Sequence, residues 1–145
     1  MSDQNVKPLP FFFVGKDVTN ERINTFITTK YGLLSDVIGK PDTKSVWYTR
    51  EHVEGWLSEM NLANADGLRI YFGSYEETHP SYPKQTCLLM VLTKEDPQSG
   101  INMDISIEDE PNFSLRSQTE RSITDLTERD YNVGSPCPPI CPGKR

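Results

Sequence analysis

Two cysteines separated by three residues, Cys137 and Cys141, carry the most distinctive chemistry in the chain. Pro138, Pro139 and Ile140 lie between them, and prolines stiffen such a segment and narrow what the unfolded chain explores. Four readings of the pair stand open. As thiolates they form half of a zinc site, which needs two further ligands from Cys87, His52 and His79. As a reversible disulfide they form a redox pair, although the usual redox motif keeps two intervening residues and no basic or helix N-terminal setting is visible to lower a thiol pKa. As part of a tail they mark a segment that another protein reads or modifies. In the plainest reading they are ordinary thiols tucked against a domain. Cys87 opens the apolar run Cys87 to Leu92 and reads as a small core residue.

The second place for chemistry is the stretch from Ser74 to Gln85, about twelve residues between two strand patterns, where hairpin loops usually take about 2–5. An insertion of that length is often functional. It holds Glu76, Glu77, His79 and Tyr82, groups able to supply acid–base or ligand chemistry. The plainer reading makes His79, which precedes Pro80, a solvated surface histidine. His52 falls in the first turn of a predicted helix and reads as part of its cap.

Charge offers a third feature. Between Glu95 and Glu110 stand Glu95, Asp96, Asp104, Glu108, Asp109 and Glu110, with no Lys or Arg, and these six acids equal the whole net charge of −6. The segment is either a solvated strand face or a docking patch, with Asp104 and Glu108 on it, for a basic protein partner. It lacks the calcium-loop pattern. Arg69 reads as a solvent-side arginine beside Tyr71, or as an anion-binding group at a pocket edge. No phosphate loop, dinucleotide fingerprint, nucleophile elbow or His-Glu-x-x-His motif is present. The expectation is therefore a protein without cofactor or metal, more an interaction module than an enzyme.

The elements that must position these groups follow from periodicity. Residues 1–16, with Pro8, Pro10 and Phe11 to Phe13, predict an extended arm whose aromatics pack on the domain. A helix starts near Asp17 or Thr19, shows Ile23, Phe26, Ile27 and Tyr31 on one face, and meets a natural stop at Gly32, after which Leu33 to Gly39 can continue as a short turn of helix. Ser45 to Tyr48 is a short strand, and Thr49 caps a second helix with Val53, Trp56, Leu57 and Met60 on its apolar side. Leu68, Ile70 and Phe72 alternate with Arg69 and Tyr71, which predicts a strand with the first three buried. Thr86 to Thr93 predicts a central strand covered on both faces. Ile101, Met103, Ile105 and Ile107 predict a half-buried strand, and a weak helix is expected over 118–130. Four of the last ten residues are proline, so the segment from 132 reads as an irregular tail whose removal leaves the fold intact.

The expected architecture is α+β: a small, mostly antiparallel sheet of about four strands, two amphipathic helices on one face, one domain over 17–131, an arm before it and an irregular Pro/Cys tail over 132–145. Leu, Ile, Val and Phe make up 34 of the 145 residues, just above the roughly 20% below which charged chains stay disordered. The core is lean. A pI near 4.9 argues against a nucleic-acid binder, and no apolar run approaches the roughly 18 residues of a membrane span. The odd cysteine count and the polar N-terminus point to the cytoplasm.

Val46-Trp47-Tyr48, the helix after it, the strand Gly67-Leu-Arg-Ile-Tyr-Phe-Gly73 and the Cys-Pro-Pro-Ile-Cys stretch resemble a group of small uncharacterised proteins common in Bacteroidota. The resemblance covers residues 46–93 and 133–141. It implies a bacterial origin and carries over no activity and no catalytic residue. Three functions remain in view. The first is an adaptor or immunity-type module using the acidic strand, the long loop and the tail. The second is a small enzyme or zinc/redox protein built on His79, Glu76, Glu77 and Cys137/Cys141. The third is a substrate protein whose tail is modified.

Overall fold

The computed structural model of the chain describes residues 6–106, 134–138 and 141. The expected helix over 118–130, Ile107 and Glu108 lie outside the described residues. The described elements are α1 (Lys16–Phe26), a π-helical stretch (Ile27–Tyr31), α2 (Gly32–Ile38), β1 (Ser45–Trp47), α3 (Arg50–Ala63), β2 (Gly67–Ser74), β3 (Thr86–Glu95), β4 (Asn102–Ile105) and β5 (Ser135–Cys137). The protein is α+β, and its strands are antiparallel. They divide between a three-stranded sheet ordered β2-β3-β4 and a two-stranded sheet of β1 and β5. No helix among the described residues is long and apolar enough to cross a membrane.

The arm differs from expectation. Phe13 N–H donates to Pro10 O, a turn, and Phe11 is 99% exposed, so the phenylalanines do not pack on the domain. Gly32 does not stop the first helix either. Its φ of −60° is helical, and the chain runs on to Gly39, whose φ of 75° ends α2 in the left-handed conformation that glycine adopts without a Cβ clash. Thr25, Thr28 and Thr29 each donate back to a carbonyl one turn earlier, a bonding pattern that bends helices, and the π-helical stretch falls among them.

α3 begins as expected. Thr49 Oγ1 accepts from His52 N–H at 3.0 Å and His52 Nδ1 accepts from Thr49 N–H at 3.4 Å, a reciprocal cap with histidine in the place of the usual glutamate. Its apolar stripe is only partly used: Trp56 is buried, while Val53 and Leu57 stay exposed.

β3 holds the core. Cys87 and Thr93 are buried on one face, Met90 and Leu92 on the other, as a covered central strand requires. β2 is an edge strand, and here the expected burial fails: Leu68, Ile70 and Phe72 are all exposed. The tail also departs from expectation. Ser135–Cys137 is a strand paired with β1, Pro136 and Cys137 are buried, and the Cys137–Pro138 peptide is cis. A proline is tolerated there because each strand of a two-stranded ribbon has one free edge. This segment is therefore part of the core, not an appendage whose loss leaves the fold untouched.

Candidate functional site

The connection between β2 and β3 is a compact, self-packed loop. Tyr75 N–H donates to Gln85 O at 2.9 Å and closes its neck. Inside, Tyr75 is buried and forms a ring cluster with His79 at 4.5 Å and Tyr82 at 5.4 Å, while His79 and Tyr82 stack at 5.3 Å. His79 Nδ1 accepts from the amides of Ser81 (3.2 Å) and Tyr82 (2.9 Å). That nitrogen is thereby committed to holding the loop's shape and is not open for proton transfer or metal binding. Glu76 O accepts from His79 N–H and Lys84 N–H, and the Glu77 carboxylate pairs with Lys84 Nζ at 3.0 Å. The Glu76 and Glu77 side chains point outward on this rigid frame. Loops of this size with adjacent ends, packed by their own side chains, are frequently functional.

The loop abuts a buried polar junction that periodicity could not reveal. Asp42 is 1% exposed, and its two carboxyl oxygens accept from Thr86 N–H and Thr86 Oγ1, both at 2.6 Å. Thr43 Oγ1 donates to Thr86 O at 2.6 Å. Gln85 is buried; its Nε2 donates to Pro138 O at 2.9 Å, and its Oε1 accepts from Lys40 Nζ at 3.0 Å. Lys44 N–H donates to Cys137 O, and Asp42 N–H to Ser35 Oγ at 3.0 Å. One short segment, 40–44, thus ties α2, the start of β3 and the tail together. Burial without such partners would cost several kcal/mol, so each bond is obligatory.

Cys137 and Cys141 are joined by a disulfide. Their sulfurs are bonded to each other rather than free as thiolates, and among the described residues no group of three metal-ligating side chains exists. Cys137 is buried and Cys141 exposed. The free thiol, Cys87, is buried, and burial pushes its pKa up, which keeps it protonated and a poor nucleophile at neutral pH. Burial, then the nearby Cys87, also raises the Tyr48 hydroxyl, whose ring packs edge-on against Trp56 at 4.8 Å.

The acidic strand lies elsewhere. Asp104 accepts from Arg69 Nη1 and from Tyr71 OH, and Arg69 Nη2 donates to Asn102 O at 2.8 Å. This cluster bridges β2 and β4 across β3 and settles Arg69 as a cross-strand partner on the sheet. An open groove of about 600 Å³ passes it, lined by Asp66, Arg69, Thr93, Glu95 and Asn102 among others. Asp104 pairs with Thr93, whereas the loop and tail meet at Thr86, seven positions back along β3 and roughly 23 Å away. Of the residues singled out from sequence, Glu76, Glu77, His79, Tyr82 and Cys137 thus gather at one end of the sheet, with Cys141 tied there through its disulfide. Asp104 stands near the other end, and Glu108 lies outside the described residues. Asp42, Thr43, Lys40 and Gln85 escaped notice because their partners are 42 or more positions distant, and Lys-Pro-Asp-Thr reads locally as an ordinary turn.

No protein-family model, no curated protein and no solved structure matches this chain.

Proposed function

We propose that the protein is a non-enzymatic interaction module whose contact surface is the corner where the loop over 75–85 meets the disulfide-bearing tail. The observation that carries this reading is the bond from Gln85 Nε2 to Pro138 O at 2.9 Å, which seats the loop against the tail beside the Asp42–Thr86 junction. A loop already locked by its own bonds loses little freedom on binding, and that favours affinity. Glu76 and Glu77 stand exposed on it, so the complementary partner is a protein with a basic surface. Asp104 is committed to Arg69 and Tyr71 and sits outside this contact.

The expected cytoplasmic location sits against the disulfide, because that compartment keeps thiols reduced. The test therefore runs oxidised and reduced. The full chain, Glu76→Lys/Glu77→Lys and Cys137→Ser/Cys141→Ser serve as affinity baits in lysate of the native host. Stoichiometric capture by the wild-type chain, lost on charge reversal, supports the reading. Capture retained by both variants, or no capture by the wild type, overturns it.

A further inference from the structure

The free edge of β2 is the most unusual surface of the described structure. β2 pairs with β3 from Gly67↔Thr93 to Ser74↔Thr86, and among the described residues its other edge has no backbone partner. Natural edge strands are blunted by lysine, proline, bulges or short length. Gly67 to Gly73 contains no lysine and no proline, and its one charged residue, Arg69, is drawn across the sheet to Asp104. Phe72 is 82% exposed and Ile70 48%.

The phase of the hydrogen bonds decides which groups face outward. Tyr75 N–H donates to Gln85 O, its neighbour in the antiparallel register, so Tyr75 directs its backbone groups toward β3. Backbone groups alternate sides along a strand. Gly73, Tyr71 and Arg69 therefore face β3, while the amides and carbonyls of Leu68, Ile70 and Phe72 face the open edge.

The pattern along that edge is symmetric in position about Ile70, with apolar residues at 68, 70 and 72 and glycine at 67 and 73. Gly67 mirrors Gly73, Leu68 mirrors Phe72, and Arg69 mirrors Tyr71. We infer that β2 pairs with β2 of a second copy of this chain, antiparallel, on a two-fold axis through Ile70. Leu68 then lies opposite Phe72 of the second copy, Ile70 opposite Ile70, and Arg69 opposite Tyr71, with up to about six hydrogen bonds from the outward groups. Large apolar residues meet on one face of the joined sheet. On the other, Arg69 and Tyr71 keep their bonds to Asp104 within each copy, and no like charges stand directly opposed. Moving the axis to Arg69 sets Phe72 against Asp66. Moving it to Tyr71 sets Leu68 against Ser74 and Arg69 against Gly73. The glycines at both ends leave the close approach of the strands unhindered, and the two three-stranded sheets become one of six strands. This inference is independent of the loop–tail reading, since it uses the opposite edge of β2 and neither Glu76, Glu77 nor the tail.

Sedimentation equilibrium of the full chain, with circular dichroism as the folding control, tests the pairing. Ile70→Pro removes an outward N–H without removing a bond to β3, so it is expected to keep the wild-type spectrum and weaken the dimer more than about tenfold. Disulfide trapping then tests the register. Opposed residues of a hydrogen-bonded pair have Cα atoms about 5.5 Å apart, within disulfide reach, so oxidised Ile70→Cys is expected to give a covalent dimer and Phe72→Cys not. A wild-type chain that stays monomeric at the highest soluble concentration overturns the inference. So does a dimer unaffected by Ile70→Pro, or preferential trapping of Phe72→Cys.

Discussion

The two long sides of this small protein are finished in opposite ways. At the start of β3, Asp42, Thr43, Gln85 and Thr86 are buried or half-buried, and their side chains are bonded to groups brought from α2 and the tail. Along β2, apolar side chains stand exposed and, among the described residues, the backbone edge is open. The contrast inverts the usual arrangement of polar groups outside and apolar groups inside. It teaches that the closed end is where stability is concentrated, and that the open edge is available for another chain.

The sharpest way to break the contrast is to remove residues 134–145. The buried side chains of Pro136 and Cys137 are lost and Gln85 Nε2 loses an acceptor, so urea unfolding is expected to show a loss of about 4 kcal/mol. Unchanged stability would mean that β5 is not core. Next, Asp42→Ala leaves Thr86 N–H and Oγ1 without their acceptor, for about 3 kcal/mol in the same measurement. Phe72→Lys at the open edge is expected to stay within about 0.5 kcal/mol for the monomer at low concentration, and a large loss there would show that Phe72 is covered.

The smallest effect concerns pH. Asp96 is held below the ordinary carboxylate range by the Ser99 hydroxyl, then by Gln98 N–H. Its folded value is depressed, so the contribution of this turn is fully present above the ordinary value and is lost as pH falls through the folded one. An NMR titration should place the Asp96 midpoint below that of an unperturbed aspartate, and Ser99→Ala should raise it.

The sequence made some of this legible and hid the rest for definable reasons. The run Thr86 to Thr93 announced a covered strand, and Thr49 announced a helix cap, because both signals are local. The alternation of Leu68, Ile70 and Phe72 established a strand with two distinct faces but could not say what covers either one. Gly32 looked like a stop since glycine is costly in helices, yet only a glycine driven to positive φ ends one, and that residue is Gly39. The loop stands out by its length, and it contains His79 and Tyr82. Their described contacts there are internal, through rings and amides. The pairing of β1 with β5 joins residues about ninety positions apart through a proline-rich segment, where neither propensity nor periodicity carries information.

That separation has a consequence for the order in which the chain is made. Val46 waits for Pro136, and Asp42 for Thr86. At synthesis rates of roughly 5–20 residues per second, the carboxyl group finds its threonine within a few seconds, while β1 stays single on the order of 10 s before β5 leaves the ribosome. Through that interval the nascent domain holds its central strand but lacks its last seam. The vulnerable species in the cell is therefore a nascent chain with Val46 and Trp47 still unpaired, and a holding chaperone would meet it there.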